Sequence, residues 1–158
     1  MRNHLCDWCE ALLLLDASGG IALWQIGRVC QNQLRGLAIG LAKAFGVKAI
    51  IQPAVIPDKH YDRDGWSGLA VTPMLNNLLI RQRRGVRLNL GVTASNVVPD
   101  SYHHFLFGMA YMGLPAAVVG IEPLTWDEPS PATLKKRMLQ IAIHELGHYL
   151  GLDHHGYE

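Results

Sequence analysis

The chain has 158 residues, enough for one compact domain with a core of its own. With 49% hydrophobic and 17% charged residues, its composition is globular and excludes a disordered chain. The net charge of +1 gives no electrostatic reason to expect nucleic acid or an acidic membrane as a partner, and no apolar run reaches the ~18 residues of a membrane span.

Residues 1–10 read as a flexible N-terminal segment of a single domain covering 1–158. Cys6-Asp-Trp-Cys9 has the spacing of half a zinc knuckle, but no second close cysteine pair exists. Ordinary reduced thiols are the favoured reading, and three cysteines (Cys6, Cys9 and Cys30) do not make a disulfide framework. Ala11–Leu15 is apolar, flanked by Asp7, Glu10 and Asp16. It is shorter than the apolar core of a signal peptide, about 7–15 residues. It reads as a buried first strand ending at Asp16-Ala-Ser-Gly-Gly20, and a cytoplasmic protein is the default expectation.

From about Ile26 to Phe45 the pattern is helical, with Leu34, Leu37, Ala38, Leu41 and Phe45 on one face and Gly46 placed to end the helix. Val47–Gln52 is short and β-branched, as a second strand would be. Pro53–Gly68 reads as a loop. Thr72-Pro73 predicts an N-cap followed by proline at the first helical position, with the helix running through Leu75, Leu78 and Leu79 to about Arg83. The charge run Arg81, Arg83 and Arg84 suits a solvated helix C-terminus. Three strands follow, at Val86–Val92, Phe105–Met112 and Ala116–Ile121, the last two joined by Gly113-Leu-Pro115. Ser130-Pro131 then starts the clearest helix. Leu139, Ile143, Leu146 and Leu150 give it a core face, and Gly151 ends it. The expected architecture is α/β (α+β): a mixed, twisted sheet of about five strands packed on helices, with the functional helix at the C-terminal end.

That helix carries His144 and His148, four residues apart and so on one face. Two imidazoles so placed can reach one zinc ion, at about 2.0–2.1 Å each. Glu145 lies about 100° round the helix, near enough to approach a metal-bound water without having to ligate the metal. It is the candidate general base, taking the proton of a metal-activated water as that water attacks a carbonyl. Gly151 permits the sharp left-handed exit that returns His154 as third ligand, leaving a fourth position open, as catalysis by one zinc requires. A lone helical histidine is more often a plain core or surface residue. Here three histidines, one glutamate and one glycine agree with an independently predicted helix and its predicted end. His155 is an adjacent alternative to His154, although spacing from Gly151 favours the latter. His103 and His104 read as solvated loop residues, and Tyr157 is a candidate oxyanion donor.

The segment His144–His154 matches the metzincin signature. Before it, Leu90-Gly-Val-Thr93, Phe105-Leu-Phe-Gly108, Ala116-Ala-Val-Val119 and the run from Lys135 resemble the archaemetzincins. Further upstream so do Ala44-Phe-Gly46 and Ile56-Pro57 with Tyr61-Asp62. The resemblance covers most of the chain from about Ala11. It implies a metzincin-like fold, one catalytic zinc at His144, His148 and His154, and Glu145 as general base. It also implies a peptide or protein substrate pairing with Ala116–Gly120 as the strand on the upper rim of the cleft; the plain reading of that segment is a buried core strand. The chain departs from the family pattern where His155 stands in place of a cysteine after the third histidine. The further cysteines of a second zinc site and the methionine turn do not occur up to Glu158. Cys6, Cys9 and His155 are weighed as a replacement metal site and disfavoured. Three functions follow. The first is a zinc metallopeptidase. The second is a zinc-binding domain derived from one and acting as a binding module with little or no catalysis. The third is a zinc hydrolase of non-peptide amides.

Overall fold

The computed structural model describes residues 19–55, 60–63, 66–81, 86–99, 106–111, 114–149 and 151. In chain order the elements are β1 (Gly20–Ile26), α1 (Gln31–Phe45), β2 (Ala49–Val55), β3 (His60–Arg63), β4 (Trp66–Ala70), α2 (Val71–Ile80), β5 (Val86–Thr93), β6 (Val97–Val98), β7 (Gly108–Ala110), β8 (Ala116–Gly120) and α3 (Pro131–Tyr149), with a 3-10 turn at Glu122–Leu124. The main sheet is mixed and five-stranded, in the order β2-β1-β5-β8-β7. The first four strands run parallel and β7 closes the edge antiparallel to β8. Strands β3, β4 and β6 form a second, smaller sheet. No helix among the described residues is long and apolar enough to cross a membrane.

The sheet is buried on both faces. Ile21, Leu23, Leu88, Leu90, Val92, Ala117 and Val119 point to α1 and α3, meeting Leu34, Leu37, Leu41, Met138, Ala142 and Leu146. Ala22, Trp24, Ile26, Ala116 and Val118 point the other way, onto Val71, Met74, Leu75 and Leu78 of α2. This two-sided burial is why the sequence pattern does not reveal β1 and points to a helix from about Ile26. A strand covered on both faces shows a continuous apolar run instead of alternation. Ile26 is in fact the last residue of β1, and α1 begins five residues later at Gln31. The predicted strand at Ala11–Leu15, and Cys6 and Cys9, lie outside the described residues.

Several local signals hold. Gly46 is left-handed (φ 66°) and its N–H closes α1 onto the Ala42 carbonyl. Ser130 Oγ accepts the Thr133 N–H at 3.2 Å, capping α3, and Pro131 takes the first helical position as predicted. Gly151 has φ 80° and donates to the His148 carbonyl at 3.0 Å. The α1 face is also as read, with Leu34, Leu37, Leu41 and Phe45 buried.

Others are corrected. The N-cap of α2 is Ala70, without a side-chain cap, so Pro73 is the third helical residue; a missing N–H costs nothing in a first turn whose N–H groups have no helical acceptor. The supposed loop Pro53–Gly68 contains the end of β2, then β3 and the start of β4 as an antiparallel pair. Pro53 fits because β2 is an edge strand and its register shifts there: Trp24 pairs with Gln52, but Ile26 with Val55. Finally, Ala116–Gly120 is not the rim of the cleft. It is β8, interior to the sheet and buried along its length, and the edge position belongs to β7.

Candidate active site

The carboxyl-terminal half of α3 runs beneath β7. Met138, Ala142 and Leu146 sit i, i+4 apart and seat the helix in the core, while Leu139 and Ile143 pack on its flank. Close approach to α1 follows from Gly40, where an ideal Cβ would lie 3.1 Å from the methyls of Leu139. With α3 held from one side, His144, Glu145 and His148 turn toward the edge strand. They line a cleft of about 420 Å³ together with Phe107, Gly108, Met109 and Ile141.

His144 and His148 stand edge to face, with ring centroids 4.8 Å apart and planes at 85°. His148 is 8% exposed and His144 half-buried. One turn of helix places the two rings side by side, as their spacing predicted.

Glu145 is 7% exposed. Its carboxyl pKa is pushed up to about 7 from its ordinary value of 4.5, and the cause is burial. A carboxyl group whose pKa is raised by burial, next to two imidazoles on one helical face, is a donor set that suits a divalent cation. The histidines supply neutral nitrogen ligands, and the cation would stabilise the ionised carboxylate. Among the described residues no cluster of three metal-binding side chains forms. His154, His155 and Tyr157 lie outside those residues, as do His103 and His104.

The wall opposite the helix is not legible in the sequence alone. Phe107, 45% exposed, and Gly108 line the cleft from the edge strand. Their signal was the pattern Gly108-Met109-Ala110. The small residues at 108 and 110 face α3, where Ala110 packs with the α1/α3 core, and Met109 faces the α2 side. Only the strand order makes that pattern informative.

An antiparallel edge strand lying along a His-Glu-x-x-His helix, on a mixed sheet covered by helices on both faces, defines an α/β fold that brings two imidazoles and a buried carboxyl into one cleft. No protein-family model matches the chain. It is 34% identical over 124 residues to archaemetzincin of Pyrococcus horikoshii, covering 73% of this chain and 64% of that protein. It is 32% identical over 120 residues to archaemetzincin of Archaeoglobus fulgidus, covering 75% and 69% respectively. The chain thus spans a little under two thirds of the first relative and a little over two thirds of the second. The crystal structure of the Archaeoglobus fulgidus archaemetzincin, complexed with malonate, matches with a TM-score of 0.70 at 27% identity, over 87% of this chain and 82% of that one. The chain belongs to the archaemetzincins.

Proposed function

We propose that this protein is a zinc-dependent peptidase in which His144, His148 and His154 hold one zinc ion and Glu145 is the general base. The observation that carries the proposal is the buried Glu145 carboxyl, set beside the paired imidazoles on the floor of a cleft walled by an edge strand. When bound, zinc supplies Lewis acidity, which polarises a carbonyl and acidifies water to a pKa of about 7.

The protein's own groups do the rest. Glu145 accepts the proton of the attacking water and returns it to the leaving amine, a transfer worth roughly 10²–10⁴-fold. Its raised pKa belongs to the metal-free protein; a cation beside it favours the carboxylate and readies the base at neutral pH. On the opposite wall, the Phe107 carbonyl and the Tyr111 N–H are already used in pairing with β8. By alternation, the backbone groups of Gly108 and Ala110 turn outward from the sheet. An extended peptide can add there as the next strand, which holds its scissile bond along the helix.

Two measurements test this. Protein purified without chelator should carry about one zinc per chain. Glu145→Ala should keep that zinc and lose peptide hydrolysis. Zinc retained with no turnover by the unaltered chain, across a broad peptide library, would support the binding-module reading instead. No zinc, and no effect of His144→Ala, would refute both.

A further inference from the structure

We infer that Gly108 is a positioning residue for Glu145: the missing side chain at the start of the edge strand is the space into which the glutamate folds. The inference rests on the general-base reading of Glu145 given above. An ideal Cβ at residue 108 would stand 2.8 Å from Glu145 Cγ and 3.0 Å from Glu145 Oε1. Real Cβ atoms essentially never come within 3.0 Å of such neighbours. Rotating the carboxyl group alone does not relieve the contact, because Cγ lies in the middle of the side chain. A methyl at 108 therefore forces Glu145 into another rotamer or pushes α3 away from β7.

The need for glycine at this position is one of space. The described glycines with positive φ are Gly27, Gly46 and Gly151, and Gly108 is not among them. Its backbone conformation is open to any residue. Ala110, two residues on and facing the same helix, carries its methyl and packs in the core. At residue 108 the ideal Cβ instead meets the glutamate opposite as well as the neighbouring strand. A second contact, 2.8 Å from the same ideal Cβ to the Val118 carbonyl oxygen, belongs to strand pairing with β8 and has nothing to do with Glu145. The two effects are separable, because only one of them disappears when the glutamate is removed.

The test is a double-mutant cycle on the full chain with Gly108→Ala, Glu145→Ala and both together. In the metal-free protein, Gly108→Ala should lower Tm by about 3–8 °C when Glu145 is present, as overpacking of a close contact does. It should lower Tm distinctly less in the Glu145→Ala background, where only the Val118 contact remains. In zinc-loaded protein assayed on a peptide that the unaltered chain cleaves, Gly108→Ala should reduce kcat by about 10²-fold, the scale of a 1 Å misplacement, with zinc content unchanged. Equal Tm losses in both backgrounds would overturn the inference, as would an unchanged kcat with zinc bound. If the unaltered chain binds zinc but cleaves no peptide, the enzymatic reading fails and the kinetic half goes with it. The Tm cycle still decides whether Gly108 places Glu145.

Discussion

The indole N–H of Trp24 on β1 donates to the side-chain oxygen of Asn89 on β5 at 3.1 Å, inside the core between the sheet and α2. Asn89 is fully buried and its amide nitrogen donates to the Pro115 carbonyl at 3.1 Å. One polar side chain thereby ties β1, β5 and the approach to β8, three central strands distant in sequence. Asn89→Ala strands the indole N–H in an apolar core and leaves a small void. It should cost about 2–4 kcal/mol, read as a lower urea midpoint at unchanged m-value.

The pH dependence of the metal-free protein should carry the signature of Glu145. Its folded pKa is about 7 against an ordinary 4.5. Between those values the folded state binds the proton more tightly than the unfolded state, so stability falls as pH rises through that window and levels off above it. The window corresponds to about 3 kcal/mol at most. Glu145→Gln has no such proton to lose. Its stability relative to the unaltered chain should grow from pH 4.5 to 7, and urea titrations at pH 5 and pH 8 measure it. A difference that is constant with pH would contradict the assignment.

Zinc should stabilise the fold, because the paired imidazoles exist only when α3 is formed. At a hundredfold excess over Kd the expected gain is about 2.7 kcal/mol. For a chain of this size that is roughly 5–10 °C in Tm. His148→Ala should abolish most of the shift, measured by thermal unfolding of chelator-treated protein with zinc added back.

Gly151 offers a contrast with Gly108. It sits at φ 80° with no atom of the described residues within 4 Å of where a Cβ would go. Against the described residues Gly151→Ala meets backbone strain alone, and should cost about 1 kcal/mol. Thermal unfolding of the metal-free variant measures this cost. A much larger loss would mean that the helix exit is held by contacts beyond its own backbone.

What the sequence determined by itself is what depends on neighbours a few residues away. The side-by-side imidazoles of His144 and His148, the Ser130 cap, the Pro131 start and the glycine stops at Gly46 and Gly151 all follow from helical spacing and capping chemistry, which act within a turn or two. The motif and its upstream matches also carried the family and the mixed five-stranded sheet. Tertiary structure decided the rest. Residues Ile21–Ile26 became a central strand because β2 and β5 cover its edges and helices cover both faces, so no alternation was left to read. The β3–β4 pair and the edge position of β7 depend on partners that local pattern does not specify. The environment of Glu145 belongs here too. Its place in the motif was plain, but its burial and its contact with Gly108 arise only when an edge strand 37 positions earlier in the chain is laid against the helix.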